Sequence, residues 1–377
     1  MIKKYDIVIV GAGISGSVLA ECYTRILNKK VLIIDKRNHI GGNCYDEKKS
    51  VGITVSKYGP HYFRTNDELV WKYVQRFSKW TPFEARCLSC VDGKKVPIPV
   101  NIDTINILFN LNITSEEEMR EVLEKDLVKY PSPKNSEESA LSRVGKTLYE
   151  KMFKNYTIKQ WDKHPTELEA SVMDRIPVRY NHDDRYFTDK YQFYPTNGYT
   201  HIFNNMLSNP NIEVRLNTSW EDLIKTGIEY EKLFFSGRID SYFSEELGKL
   251  EYRSLRFEEE IVDKEFFQDT VQENYPDESI PFTRIVEYKY QTKEKSEKTI
   301  IVKEYPTWNG EPYYPVPSEK NRETYSKYQE KAAKLEEDGI FFVGRLANYK
   351  YFNMDQTFRN ALDLFCRVEG VKIEDTL

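Results

Sequence analysis

The sequence predicts an α/β chain. A parallel, nucleotide-binding sheet is built from both ends, with a helical unit and an antiparallel sheet inserted between. Three observations predict it. Residues 5–10, YDIVIV, are a strand-like run, apolar but for Asp6, that leads into GAGISG, then an amphipathic stretch, then a second apolar run ending on an acid, KVLIID. Toward the other end, GIFFVGR followed by the periodic DQTFRNALDLFC repeats the strand, glycine, helix order. A length of 377 residues also exceeds one ordinary core and suits two or three packed units.

The first unit reads as a Rossmann-like βαβ motif. Gly11, Gly13 and Gly16 stand in G-x-G-x-x-G order between strand and helix, and Asp35 ends the second strand. Gly11 suits the tight turn, Gly13 the approach of backbone to a pyrophosphate, and Gly16 close helix–strand packing, with the helix N-terminus facing the anion. Asp35 suits a ribose 2′-hydroxyl and disfavours a 2′-phosphate, which leaves NAD or FAD. A second glycine turn in KRNHIGGN, with Lys36, Gly42 and Asn43, brings backbone near an extended cofactor where a nicotinamide enzyme would continue into another helix. Gly344 and Arg345, then Met354 and Asp355 at a helix start, meet the pyrophosphate and ring end of the same cofactor. That two-ended arrangement is glutathione-reductase-type and selects FAD.

The elements between follow in order. Residues 67–80 look helical, and 86–100 alternate as strands. From 101 to about 170 the pattern is helical and charged, opening SEEEMREVLEKDL on a capping signal. YPSPKNSEES, within it, reads as a mobile linker. Residues 171–200 and 242–306 read mainly as strands, with FTRIVEYKYQT and KTIIVKEYP as a hairpin, while NIEVRLN and KLFFSGRID return to the nucleotide-binding sheet. The expected division is 1–80, 205–240 and 335–377 for the FAD domain, 101–170 for a helical insertion with a lid, and 81–100, 171–204 and 241–334 for the antiparallel sheet and substrate.

Composition narrows the partners. A net charge of −5 with interspersed signs gives no footprint for nucleic acid or an anionic membrane. No run approaches a membrane span, and five scattered cysteines suit a reducing cytoplasm. Cys87 and Cys90 form a C-x-x-C without a second pair or nearby histidines, so no metal site is expected. The 27 tyrosines suit nucleotide and sugar pockets.

YGPHYFRTN, residues 58–66, concentrates a Gly-Pro turn, His61, aromatic rings and Arg64 in a stretch with no regular period. With VLIIDKRNHIGGN, YTIKQW, RIPVRYNHDDRYF, PFTRIVEYK, KEYP, PYYPV and VGRLANYKYFNMD, it resembles the bacterial UDP-galactopyranose mutases, in order and over essentially the whole chain. The resemblance implies a non-redox flavoenzyme that interconverts pyranose and furanose forms of a nucleotide sugar through a reduced-flavin N5–sugar adduct. It also implies a cytoplasmic homodimer supplying cell-surface polysaccharide synthesis, with NAD(P)H or a reductase as electron donor. By resemblance, Arg179 and Arg284 hold the diphosphate. Tyr156, Thr157 and Trp161 meet the nucleoside, with Phe153 as a stacking ring. Tyr186, Tyr314 and Tyr351 wrap the diphosphate and sugar, and Asn274 is sugar-proximal. Gly59, Pro60 and His61 line the flavin ring, and a lid lies between Trp161 and Arg179.

Three positions depart from the family pattern: Arg64 for a histidine, Asn353 for an aspartate and Ala85 for an asparagine. Arg64 and Asn353 are expected to make the sugar pocket more positive and to favour an acceptor-bearing substituent. UDP-galactopyranose is the default substrate and an N-acetylated or 6-deoxy sugar nucleotide, UDP- or dTDP-linked, the alternative. A flavin oxidoreductase and a cofactor-free binding protein of the same fold are the readings of another class.

Overall fold

The structure is a computed structural model, and it describes residues 4–174 and 177–377. The nucleotide-binding sheet has five strands in the spatial order Ile212–Arg215, Val31–Ile34, Lys4–Val10, Glu229–Phe235, Ile340–Phe342, all parallel. Val31–Ile34 and the Ile7–Val10 end of the neighbouring strand are apolar on both faces because both faces are covered there. Ile7 and Ile9 face the helices Ile14–Leu27, Tyr199–Met206 and Met354–Glu369, through Val18, Leu19, Phe203, Phe358 and Leu362. Tyr5, Val8, Leu32 and Leu233 pack on the other side with Leu223.

The second sheet has seven strands, ordered Tyr314–Pro315, Tyr252–Val262, Thr299–Thr307, Arg284–Glu287, Gln272–Asn274, Cys87–Val91, Lys94–Ile98. It is mixed rather than purely antiparallel, because Gln272–Asn274 runs parallel to Cys87–Val91. Its register sets Arg284 directly opposite Asn274 on one side and Glu304 on the other. The C-x-x-C lies on one strand, where residues three apart face opposite sides, so Cys87 is buried while Cys90 turns toward Glu273.

Helices Ile102–Phe109, Glu116–Glu124 and Ser136–Leu148 close over Val96 and Ile98, while Asn155–Trp161 packs Trp161 on Leu168, Val172 and Val316. The signal at Ser115 is a capping box with Glu118.

Three expectations change. Part of the presumed linker is helix: Asn135 caps at Glu138 N, and Ser136 N donates to Leu168 O at 2.9 Å. The described residues of 171–200 carry one strand, Tyr191–Pro195, which pairs with Phe63–Thr65 and Trp80–Pro82 rather than with the large sheet. Tyr191 and Phe193, two apart on that strand and so on one face, stack on Trp71. Within the expected hairpin, Lys289–Thr292 forms a helical turn after Arg284–Glu287.

Candidate active site

Two glycine turns meet backbone to backbone at the sheet's C-terminal edge. A Cβ on Gly42 would lie 2.9 Å from Gly13 Cα, and one on Gly11, where φ is +105°, would lie 2.1 Å from Ser236 Oγ. Asp35 is fixed behind them, its carboxylate accepting from Ala12 N and Arg37 N at 2.9 Å each. The Ile14–Leu27 helix starts with no side-chain cap and no acid in its first turn, leaving its N–H groups facing outward. Lys36 is exposed and pairs with Glu311 at 2.9 Å, while Asn43 accepts from Arg37 at 3.0 Å.

The other end of the chain returns to the same place. Arg345 donates to Phe352 O at 2.5 Å and Tyr313 O at 3.4 Å, and its guanidinium lies 4.8 Å from the Tyr351 ring centre. Met354 and Asp355 open the last long helix. Asp355 Oδ1 is buried without a hydrogen-bond partner, and burial lifts its carboxyl above the ordinary range against the pull of Gln356 N, Thr65 and Arg64. A cradle with no room for a Cβ, an uncapped helix start, a ribose-type carboxylate and a buried acceptor at the far end fit a bound flavin dinucleotide.

Gly59, Pro60 and His61 continue this line. Gly59 has φ +88°, and a Cβ there would meet Glu304 Oε1 at 3.2 Å. His61 Nδ1 lies 2.9 Å from Gly59 O. A carbonyl only accepts, so the proton is on Nδ1 and Nε2 is the lone-pair edge. Burial, then the cations Arg345 and Arg284, push His61 down to about 4, so it is neutral at neutral pH. Because the folded value is depressed, the unfolded chain takes the proton first, and stability drains away between about pH 6.5 and 4. The contribution is roughly 1–2 kcal/mol after allowing for partial solvent access. The urea midpoint of flavin-free protein is therefore expected to fall more between pH 7 and 5 for the native chain than for His61→Gln. Equal falls contradict the assignment.

Arg284 stands at the centre of the second half of the site. Its Nε donates to Glu304 Oε2 at 2.6 Å, and its Nη1 to Gln272 Oε1 at 3.4 Å. Glu304 is 1% exposed, and burial raises its carboxyl against the lowering by Arg284. Tyr156 and Tyr314 lie within electrostatic range of Arg284, and burial raises both phenols, which keeps them protonated donors. Tyr314 stacks on Tyr351 at 5.4 Å and meets Trp161 edge-on at 6.4 Å. Thr157 and Asn274 are buried beside this group.

Other expected residues lie apart. Arg179 donates to the carbonyls of Asp183, Arg185 and Tyr186, in its own loop, and not to the Arg284 group. Phe153 sits in the core of the helical unit. Tyr186 packs on Phe187 but, unlike these, also lies within electrostatic range of Tyr156. Arg64 pairs with Asp189 at 2.8 Å and lies 4.0 Å over the Phe187 ring, so the expected gain in pocket charge is cancelled by a neighbouring carboxylate. Asn353 is the N-cap of the last long helix, in a capping box with Gln356. Ala85 is buried, and its carbonyl accepts from Tyr186 N at 2.7 Å. Residues 175 and 176, within the expected lid and the RIPVRY segment, lie outside the described residues.

Three further residues shape the site. Glu304 orients Arg284; the signal for it was an acid directly after the apolar run IIV and Lys303 in the strand TIIVKEYP. Lys159 Nζ donates to the carbonyls of Tyr275, Asp277, Ile280 and Phe282, fastening the loop between Asn274 and Arg284 to the helix that carries Tyr156. Gln272 joins Arg284, Tyr62 and Asn274.

Among the described residues no helix is long and apolar enough to cross a membrane. The family profile described as UDP-galactopyranose mutase matches residues 151–351, and that of the NAD(P)-binding Rossmann-like domain matches residues 9–77. The chain is 39% identical to the dTDP-fucopyranose mutase of Escherichia coli, over 95% of this chain and 96% of that one. It is also 39% identical to the probable UDP-galactopyranose mutase of Klebsiella pneumoniae, over 95% and 93%. Its fold matches a crystal structure of reduced UDP-galactopyranose mutase with a TM-score of 0.79 at 16% identity, covering 99% of this chain and 97% of that one.

Proposed function

The chain belongs to the UDP-galactopyranose mutase family, and on that footing we propose that it interconverts the pyranose and furanose forms of a nucleotide sugar with FAD bound in its reduced state. The observation that carries this reading is the fixed guanidinium of Arg284, held by Glu304 and ringed by protonated tyrosines beside the Gly59–His61 loop. Reduced flavin supplies a nucleophilic ring nitrogen for the anomeric carbon.

The protein's part is electrostatic and positional. When the sugar–phosphate bond opens, charge accumulates on the diphosphate, and a preorganised guanidinium stabilises it without reorientation. The same contact holds the diphosphate for recapture, so one residue serves both directions. Tyr156, Tyr314 and Tyr351 add neutral donors, and Trp161 and Thr157 seat the nucleoside. Arg179 is the second diphosphate cation in this reading, which requires its side chain to leave the carbonyls of Asp183, Arg185 and Tyr186. Arg345 and the glycine cradle hold the pyrophosphate of FAD, and Asp35 the ribose.

UDP-galactopyranose is the default substrate. A 6-deoxy, dTDP-linked sugar is the second reading, favoured by the equal identity to a dTDP-fucopyranose mutase. In this reading the enzyme works in the cytoplasm as a homodimer, supplies furanose precursors for surface polysaccharide and is reduced by NAD(P)H or a reductase. The flavin is held without a covalent bond. Acid precipitation is expected to release FAD into a yellow supernatant, and flavin that stays with the pellet contradicts this.

A further inference from the structure

Gln272 is 1% exposed and lies at the junction of three site residues. Its Oε1 accepts from Arg284 Nη1 at 3.4 Å and from the Tyr62 hydroxyl at 3.3 Å, while its Nε2 donates to Asn274 Oδ1 at 2.9 Å. The orientation of this chain is forced from one end. A guanidinium carries donors only, so the Gln272 atom that faces Arg284 is oxygen. Its amide nitrogen is then turned to Asn274, which answers with its own oxygen. Arg284 cannot swing to relax the requirement, because Glu304 holds its Nε at 2.6 Å. The strand geometry allows the relay: residues 272 and 274 share a face, and Glu273 between them turns to Lys95 and Cys90.

Asn274 is only 7% exposed, yet its Nδ2 donates to nothing among the described residues and is not one of the sealed, unpartnered side-chain atoms. Asn274 stands directly opposite Arg284 in strand register, so its side chain and that of Arg284 share one face of the sheet. We propose that Gln272 is a positioning residue that fixes the polarity of Asn274, so that the sugar subsite presents an N–H donor at this point and reads an oxygen acceptor on the sugar. This rests on the mutase reading above. An asparagine without such a partner turns over at little cost and offers a donor or an acceptor indifferently. With Gln272 in place, only one edge is offered.

The test compares the native, flavin-loaded protein with Gln272→Met, Asn274→Leu and the double variant by isothermal titration. The probes are UDP and UDP-galactose, with dTDP and dTDP-fucose in parallel. The quantity read is the ratio of the nucleoside diphosphate Kd to the nucleotide-sugar Kd, which cancels effects on the diphosphate. Asn274→Leu is expected to lower this ratio about tenfold, the scale of one discriminating polar contact, and Gln272→Met only about twofold, because an unheld amide can still turn its N–H toward the sugar. The double variant is expected to fall no further than Asn274→Leu, because the two residues act through one contact. Ratios unchanged from native, or losses that add, overturn the proposal. If Gln272→Met loses flavin, Gln272→Glu decides: it keeps the shape and an acceptor for Arg284 but obliges Asn274 to turn its N–H inward, and the ratio is again expected to fall. Ring contraction by the reduced native protein is scored in the same preparations. Its absence sinks the mutase reading and the proposal with it, whereas turnover with unchanged ratios sinks only the polarity assignment.

Discussion

Arg284→Ala is expected to lower turnover by roughly a hundredfold or more, the scale of removing one preorganised charge from a transition state. The reason is its setting. The side chain is held by a 2.6 Å bond to a carboxylate that is 1% exposed, and it sits opposite that residue in strand register, so its direction is fixed before substrate arrives. Removing it also strands Glu304 as a buried carboxylate without its cation, which disfavours a diphosphate directly. Flavin content is expected to stay normal, because the glycine cradle and Asp35 lie on a different sheet. Steady-state kinetics with flavin quantified in the same preparation check this. Native kinetics in the variant would remove Arg284 from the mechanism.

Gly16→Val is expected to abolish flavin retention. A Cβ there would fall 1.9 Å from Gly11 O, on the turn that must cradle the pyrophosphate, and 3.1 Å from Ile9 Cγ2, on the strand that leads into it. Neither atom is a flexible side-chain end that can yield, so helix and strand must separate and the turn loses its shape. Gly93→Asn is the matched control. Its φ is +74°, which asparagine tolerates, and nothing lies within 4 Å of a Cβ. The ratio of flavin to protein absorbance is expected to be near zero for Gly16→Val and native for Gly93→Asn. Stoichiometric flavin in Gly16→Val would show that the turn is not the cofactor cradle.

The two ends of the fold were legible in the sequence because backbone rules govern them. Gly11, Gly13 and Gly16 between two apolar runs admit few structures, and Gly344 repeats the device. The middle was less legible. Tyr191–Pro195 reads as a strand of some large sheet, but it pairs with Phe63–Thr65, which no local pattern announces. Arg64 shows the same limit in the site. Its charge was readable, whereas the carboxylate that cancels it, Asp189, lies 125 positions away. Arg179 and Arg284 look alike as motif arginines, yet one is committed to loop carbonyls and the other to a buried acid. Gln272 carried no signal at all, because its role follows from the partners on either side of it.

The central claim is that this protein changes the ring size of a nucleotide sugar without net oxidation. The most direct measurement incubates dithionite-reduced protein with a panel of UDP-, dTDP- and GDP-sugars and follows each by chromatography and mass. One sugar nucleotide is expected to convert reversibly to an isomer of identical mass, with many turnovers per equivalent of reductant and little activity once the flavin is reoxidised in air. Isomerisation of none of the panel, or product that is oxidised in step with reductant or oxygen consumed, would contradict the account.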